Sequence, residues 1–392
     1  MNFYERAKQL KEETISHRRY FHKNAETGLD MPMAREYVMN TLSSFGYSPE
    51  ICGNGVTATV GKGSPVILLR ADMDALPMKE ESGEEFSCEN GNMHACGHDL
   101  HAAILLTAAK ILKECEDGLK GTVKFMFQPA EETFEGARDM INAGILENPK
   151  PDAALAFHVT AGRMPVGMFA YNSGGVMMNS VDGFRIEVTG KGSHGAYPSQ
   201  SVDPIMISCH IHQALQSLIA READSSKNCV LTIGSFHAGS AANIIPEKAV
   251  MEGTLRTDDV AEREKLKRRL SETVTGIASS FGGKAEITEL SAVPPLICNK
   301  EFTDEIADIM ETSGIEPTIR VGGVTAGASE DFALITEQIP GALMYISAGF
   351  MDERVLYPAH NPKVIFNEEA LVVGSTLYSY AAYRWLESKN MG

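Results

Sequence analysis

The feature that most constrains the fold is the order in which two kinds of hydrophobic pattern follow one another. Short, mainly apolar runs, at Pro65–Leu69, Thr122–Phe127 and Ala153–Phe157, are typical of buried strands, and the first two contain β-branched residues. Patterns with helical spacing lie between them, at Ala102–Leu112 and Gly136–Leu146. Strand and helix in alternation predict an α/β domain with a mostly parallel sheet flanked by helices.

After Ser180 the pattern changes to strands in which apolar and polar residues alternate, as they do in half-exposed strands. Four strands and two helices follow in the order βαββαβ, which predicts an α+β ferredoxin-like unit. These six elements span Phe184–Val188, Asp203–Arg221, Cys229–Phe236, Ala249–Leu255, Val260–Phe281 and Lys284–Leu290.

The pair Pro294-Pro295 marks a return to the first domain. A helix, a strand and a final helix complete that domain, at Thr303–Ser313, Ala342–Ser347 and Glu368–Trp385. The sequence therefore predicts one domain made of residues 1–180 and 294–392, with residues 181–293 inserted into it as a second domain.

Charge and composition exclude several classes of partner. The formal charge is −17, from 35 basic and 52 acidic residues, so nucleic acid and anionic membranes are not expected partners. No apolar run approaches the ~20 residues of a membrane span, and Met1–Leu10 lacks the apolar core of a signal peptide. Seven scattered cysteines, an odd number, are typical of a reducing compartment. We therefore expect a cytoplasmic protein.

The densest chemical signal is the segment Met93–His101, which places three histidines, a cysteine and an aspartate within eight residues, directly before an apolar helix. A helix amino terminus favours the thiolate of Cys96, which makes it a good metal ligand. His98, two residues further on, could reach the same metal. A polar loop with a chance concentration of histidine is the alternative, but the whole chain has only eleven histidines. The segment therefore predicts a metal site.

A second signal is the pair Glu131 and Glu132, in the segment Gln128–Glu132 that follows the strand ending at Phe127. Two adjacent carboxylates at the carboxyl end of a strand can have different roles. One coordinates a metal while the other accepts a proton from water. A solvated Glu-Glu loop is the alternative, and the position after an apolar strand weakens it.

Two single histidines complete the pattern. His158 ends the strand Ala153–Phe157, and His360 lies in the proline-flanked loop Pro358–Pro362. Either histidine alone is more often structural than a ligand. All four signals, however, fall at a helix start or just beyond the carboxyl ends of predicted strands, which is where sites form in open α/β sheets.

Asp72 and Asp74 follow the strand Pro65–Leu69 and belong to the same edge of the predicted sheet. They could be ligands, or they could orient ligand histidines by hydrogen bonding. We favour the second role because five candidate ligands are already named.

In combination, these motifs resemble one metallohydrolase family, the aminoacylase/carboxypeptidase family, in the branch of hippurate hydrolases and hydrolases of auxin–amino acid conjugates. The resemblance covers essentially the whole chain and rests on the segments Arg70–Pro77, His94–Asp99 and Gln128–Glu132 with His158 and His360. It implies hydrolysis of the amide bond of a small N-acyl amino acid to a carboxylic acid and a free amino acid.

The resemblance also implies a binuclear site with five ligands, Cys96, His98, Glu132, His158 and His360. Cys96 would be the bridge, where the wider family more often uses aspartate, and Glu131 would be the general base. Many relatives carry a metal-binding histidine at the position of Asp72, so this chain departs from the wider pattern there. Cysteine and histidine suit zinc, yet members of this branch are often manganese enzymes. We therefore expect two divalent ions, Mn²⁺ or Zn²⁺, with Mn²⁺ slightly preferred.

Residues 181–293 resemble the lid and dimerisation domain of the family, which implies a homodimer. In the segment Gly190–Pro198, His194 would help to stabilise the tetrahedral oxyanion, often from the partner subunit. Asn243 and Arg256 resemble polar substrate contacts of the lid, since a guanidinium can hold a free carboxylate in two hydrogen bonds. For Arg256 a surface arginine on an edge strand is the alternative.

Two other functions are consistent with parts of the sequence. A dipeptidase or aminopeptidase would use the same metals but would need a carboxylate to hold the free amine of its substrate, and no residue is clearly placed for that. A non-catalytic binding protein on the same scaffold would be expected to have lost Glu131 or a ligand, and this chain has lost none. No motif indicates which acyl group or amino acid is preferred.

Overall fold

The computed structural model describes residues 1–390. Within that range the helices are α1 (Phe3–Gln9), α2 (Lys11–Lys23), α3 (Pro32–Ser44), α4 (His98–Glu114), α5 (Gly136–Asn142), α6 (Pro204–Ser217), α7 (Val260–Ser280), α8 (Lys300–Glu311), α9 (Ala333–Thr336) and α10 (Glu369–Ser388). The strands are β1 (Glu50–Cys52), β2 (Gly55–Gly61), β3 (Val66–Asp72), β4 (Thr122–Gln128), β5 (Ala153–Thr160), β6 (Met168–Tyr171), β7 (Val176–Met178), β8 (Val181–Thr189), β9 (Ser193–His194), β10 (Cys229–Ala238), β11 (Ile244–Ile245), β12 (Lys248–Thr257), β13 (Lys284–Val293), β14 (Leu296–Ile297), β15 (Ile319–Gly322) and β16 (Gly341–Ser347).

The chain divides into two compact units, and the larger one contains residues 1–177, 297–325 and 331–392. Its sheet has eight strands in the order β1-β2-β4-β3-β5-β16-β6-β15. The four central strands β4, β3, β5 and β16 run parallel, and antiparallel pairs occur only towards the edges. Every residue of β3 and β4 is buried, as expected for a parallel sheet covered on both faces. The predicted α/β class is confirmed.

Helix α4 is buried from His98 to Ala109, and only its last turns reach the surface, at residues such as Lys110 and Glu114. It contacts β3, α2 and α10. Leu105 and Leu106 are completely buried, and each such side chain contributes about 1.5–3 kcal/mol to folding. This packing fixes the first turn of α4, with His98 and His101, against the carboxyl end of β3, where His101 contacts Asp72.

The smaller unit contains residues 178–296 and 326–330. Its four strands pair antiparallel throughout, in the order β10-β12-β8-β13. Helices α6 and α7 contact this sheet and each other, and their apolar stripes close a separate core that includes Ile186, Ile211 and Leu270. The order βαββαβ and this strand arrangement confirm the predicted ferredoxin-like unit.

The structure differs from the sequence prediction mainly at short elements. The chain from Phe3 to Lys23 forms two helices, which meet at Leu10. The predicted helix Gly136–Leu146 ends at Asn142. Strands such as β2 and β6 were missed because their runs are short or bounded by glycine. Among the described residues, no helix has the length and hydropathy that crossing a membrane would require.

Candidate metal centre and active site

The segment before α4 is shaped by Gly97. Its φ is 90°, and a Cβ there would lie 2.4 Å from Cγ2 of Val159, so only glycine fits. This turn puts Cys96 immediately before α4 and makes His98 the first helical residue. Both side chains are buried.

The two adjacent glutamates lie in a strained turn that follows β4. Ala130 and Phe134, which flank Glu131 and Glu132, both have positive φ angles, 53° and 59°. Such backbone in non-glycine residues costs energy and is concentrated at functional sites. The backbone N–H of Glu132 donates to Oδ2 of Asp74 at 3.0 Å. The turn is therefore held in one conformation, with the Glu131 side chain buried.

His158 and His360 reach the same region from two further segments. His158 lies within β5, which runs on to Thr160 instead of ending at Phe157, and its Nε2 is 3.5 Å from Sγ of Cys96. His360 has a φ of 64° and donates its backbone N–H to the carbonyl of Ala95 at 2.9 Å.

The structure brings all five predicted ligands together around the Cys96 thiol. One group consists of Cys96, His98 and His158, and a second of Cys96, Glu132 and His360; within each, the potential ligand atoms lie within 4.8 Å of one another. Two ligand atoms on one tetrahedral zinc ion would lie about 3.4 Å apart. The observed separations are 3.5 Å for Cys96–His158, 3.4 Å for His360–Glu132 and 3.9 Å for His98–Glu132.

Two buried atoms show that this donor set fits a cation. Among residues 1–390, Nε2 of His98 and Oε1 of Glu132 have no hydrogen-bond partner, although an unsatisfied buried polar atom costs about 1–3 kcal/mol. His98 donates through Nδ1 to the backbone carbonyl of Asp74 at 2.9 Å, and His158 does so to the carbonyl of Val159 at 2.7 Å. Both rings therefore direct Nε2 at the centre, which is the nitrogen left for a metal when Nδ1 is hydrogen-bonded.

The electrostatics of the cluster favour charged forms. Burial by itself would raise the pKa of the Cys96 thiol, but His158 and His98 lower it to about 6. Burial would lower the pKa of His158, yet Cys96 raises it to about 9. The Cys96 thiol and the Glu132 carboxylate, whose Oε1 lies 3.4 Å from Nε2 of His360, raise the pKa of His360 to about 10. A thiolate and a carboxylate are thus balanced here by protons that a metal cation could replace.

Asp72 supports His101, the last histidine of the segment Met93–His101. Its Oδ1 accepts from Nδ1 of His101 at 2.5 Å, while Nε2 of His101 accepts from the backbone N–H of Val159 at 2.7 Å. Both ring nitrogens of His101 are engaged in hydrogen bonds, so neither is free to bind a metal. The ring instead positions the backbone of Val159, the residue after His158. His101 lies three residues after His98, and this spacing, which puts both rings on one face of a helix, is the sequence feature that points to a role near the site.

Three predicted residues lie in the smaller unit. His194 is exposed on β9, opposite Ile244 of β11, and the carbonyl of Asn243 accepts from the N–H of Gly195 at 2.8 Å. His194 and Asn243 are thus neighbours on a two-stranded ribbon. Arg256 lies on β12 and donates from Nη1 to Oγ of Ser329 at 2.9 Å. The structure therefore places Arg256 on a different sheet from the other two.

Comparison with known proteins gives the family. The model for peptidase family M20/M25/M40 matches residues 68–384. The chain belongs to this M20/M25/M40 family. Its homology to aminoacylases and conjugate hydrolases, inferred from the motifs, is confirmed by curated relatives of 34–35% identity, and the chain is a hydrolase of amide bonds.

One M20/M25/M40 relative is thermostable carboxypeptidase 2 of Saccharolobus solfataricus, 35% identical over 96% of both chains. N-acetyl-L-cysteine deacetylase of Bacillus subtilis is 34% identical over 97% of this chain and 89% of its own. IAA-amino acid hydrolase ILR1-like 4 of Arabidopsis thaliana is 34% identical over 94% of this chain and 84% of its own. Among solved structures, the Bacillus subtilis YXEP protein, described as a dinuclear metal binding peptidase from the M20 family, is 30% identical. It superposes with a TM-score of 0.79, covering 97% and 99% of the two chains.

Proposed function

We propose that this protein hydrolyses the amide bond of N-acyl amino acids, using two divalent metal ions, and releases a carboxylic acid and a free amino acid. The observation that carries the proposal is the five-residue cluster around Cys96, with unsatisfied buried atoms on His98 and Glu132. The relatives named as an N-acetyl-L-cysteine deacetylase and an IAA-amino acid hydrolase support this substrate class.

The metal-holding residues would be Cys96, shared between the two ions, with His98, His158, Glu132 and His360. When bound, the ions would act as Lewis acids, which lower the pKa of water towards ~7 and polarise the acyl carbonyl. Imidazole, thiolate and carboxylate suit Zn²⁺, and Mn²⁺ is the ion that the family resemblance favours slightly. Asp72 and Asp74 would act from outside the ligand set, through His101, His98 and the N–H of Glu132.

Glu131 is proposed as the general base. The Glu131 side chain is buried and lies beside Glu132 in the strained turn. One of its carboxylate oxygens is within 4.8 Å of a ring nitrogen of His98 and of a carboxylate oxygen of Glu132. From this position Glu131 would take a proton from the attacking water and later deliver it to the leaving amine.

Residues of the smaller unit would complete substrate recognition. His194 is proposed to stabilise the oxyanion of the tetrahedral intermediate. Asn243 and Arg256 would hold the free carboxylate of the substrate, for which a guanidinium is well shaped. Ser329, which now accepts from Arg256, would keep that guanidinium in place.

We also infer that the protein forms a homodimer through the smaller unit. Strand β10 is an edge of the four-stranded sheet and pairs with β12 alone. It carries Val230 and Phe236, which are 51% and 39% exposed. A long edge strand with exposed apolar side chains is a natural template for pairing with a second copy.

A metal-dependent dipeptidase or aminopeptidase is the second candidate, because the Bacillus subtilis YXEP protein is described as a dinuclear metal binding peptidase. One assay separates the two functions. Metal-stripped protein, with Mn²⁺ or Zn²⁺ added back, is offered a panel of N-acetyl, N-benzoyl and N-arylacetyl amino acids and a panel of unblocked dipeptides. Metal-dependent release of amino acid from the acylated panel alone supports the proposal. Cleavage of dipeptides alone would replace it with the peptidase function, and no cleavage of either would refute both.

A further inference from the structure

Arg70 is a fully buried arginine at the centre of β3, and three different side chains accept from its guanidinium. Its Nε donates to Gln128 at 2.9 Å, Nη1 to Asp72 at 2.7 Å, and Nη2 to Asp331 at 3.1 Å. A buried charge of this kind is stable only when it is paired and hydrogen-bonded in good geometry. The position of Arg70 therefore fixes the positions of its three acceptors.

Asp331 lies two residues before α9, and it is completely buried. Besides Arg70, its carboxylate accepts from Nε2 of Gln128 at 2.8 and 2.9 Å and from the backbone N–H of Ala137 at 2.9 Å. In each of these hydrogen bonds Asp331 is the acceptor. A carboxylate accepts on both oxygens, whereas an asparagine amide would turn an NH₂ group towards one of these donors.

The bonds of Asp331 bracket the turn that carries the two glutamates. Gln128 is the last residue of β4, before Glu131 and Glu132, and Ala137 lies in the first turn of α5, after them. Asp331 thus holds both ends of the turn at once. A carboxylate oxygen of Asp331 also lies within 4.8 Å of one of Glu131.

Through Arg70 the same network reaches the histidine side of the cluster. Nη1 of Arg70 donates to Oδ2 of Asp72, and Oδ1 of Asp72 accepts from His101. His101 in turn accepts from the backbone N–H of Val159, next to His158. Asp331 and Arg70 therefore connect the glutamate turn to the β5 segment by hydrogen bonds alone.

We propose that Asp331 is a positioning residue of the active site, which holds the Glu131–Glu132 turn directly and, through Arg70, Asp72 and His101, the backbone beside His158. This inference rests on the proposed function, since it assumes that Glu132 and His158 are metal ligands. Asp331 itself is not a ligand in this proposal, because protein donors already occupy both of its oxygens.

The test is Asp331→Asn, which keeps shape and removes the second acceptor. Metal affinity is measured on purified protein by competition with a chromophoric chelator for Zn²⁺ and Mn²⁺, well below the thermal midpoint. We expect affinity to fall 10–100-fold, the range for partners that orient ligands, and kcat on an N-acyl amino acid to fall at least 10-fold with KM changed less than threefold. Asp308→Asn, which breaks an exposed pair with Arg320, is the matched control and should leave both unchanged.

Gln128→Met is a second test if Asp331→Asn does not fold. It removes the hydrogen bonds between Gln128 and Asp331, at the start of the glutamate turn, without a change of charge. Folded variants with a lower thermal midpoint but metal affinity and kcat within twofold of the wild type would show a merely structural role and overturn the inference. Wild-type protein that neither binds metal nor hydrolyses acylated amino acids would instead refute the proposed function, whatever Asp331→Asn does.

Discussion

Nε2 of His98 and Oε1 of Glu132 lie 3.9 Å apart, and among the described residues neither atom has a hydrogen-bond partner. Each residue is otherwise held firmly, His98 through its Nδ1 and Glu132 through its backbone N–H, and both of these bonds go to Asp74. Nε2 of His360 lies 3.4 Å from the same oxygen of Glu132. If these residues hold a cation, as proposed, their side chains would need little rearrangement on binding.

Metal removal should therefore lower stability measurably. At a free metal concentration 100 times Kd, binding stabilises the native state by about 2.7 kcal/mol. We expect the thermal midpoint of the wild type to fall in excess chelator and to recover when Zn²⁺ or Mn²⁺ is restored. His98→Ala should remove most of this response. A response of wild-type size in His98→Ala, measured by calorimetry, would show that the stabilising site lies elsewhere.

Mutations of the two adjacent glutamates should have different effects on metal affinity and turnover. Glu131→Gln should retain metal affinity while kcat falls about 10²–10⁴-fold, the contribution of a positioned general base. Glu132→Ala should instead lose metal affinity. Metal content after gel filtration and kcat at saturating substrate distinguish the two, and near-normal turnover in Glu131→Gln would remove Glu131 from the base role.

Backbone strain predicts a trade-off at Ala130, whose φ is 53°. The left-handed region costs an L-residue roughly 1–2 kcal/mol, and glycine would relieve this at an unfolded-state entropy cost of about 0.4–1 kcal/mol. We expect Ala130→Gly to leave stability unchanged or raise it by up to about 1.6 kcal/mol in urea unfolding. We also expect it to lower kcat several-fold, because the glutamate turn is freer. Unchanged kcat would mean that the strain has no role in positioning Glu131.

The buried imidazole of His22 predicts a pH dependence of stability. Burial alone would lower its pKa, but hydrogen bonds with Asp99 and Glu80 raise it to about 9. Since the folded pKa exceeds the unfolded value of about 6.5, its stabilisation is complete below pH 6.5 and is lost as pH rises through 9. We expect His22→Gln to reduce the loss of unfolding free energy between pH 6.5 and 9, by on the order of 2–3 kcal/mol. Equal losses in the metal-free variant and wild type would contradict this.

Much of the site was predictable because its residues form local motifs or follow buried strands. Cys96, His98 and the glutamate pair follow from chemistry within a few residues and from the position of the sheet edge. The contact of Arg70 with Asp331 was not predictable, because it joins residues 261 positions apart. It depends on how β3 packs against the loop between β15 and α9. The assignment of Arg256 to substrate also stays a prediction, since its contact with Ser329 is consistent with a structural role.

Strand β10 leads to a prediction about assembly. If two copies pair through it, the 42.5 kDa chain should run at twice that mass in light scattering. A lysine within an edge strand opposes such pairing, so Val230→Lys should shift the protein to the monomer. Leu290→Lys is the matched control, because Leu290 is similarly exposed, 55% against 51%, but lies on β13 at the other edge of the same sheet. A dimer that survives Val230→Lys and dissociates with Leu290→Lys would place the interface at β13 instead, and a wild-type monomer would refute the homodimer altogether.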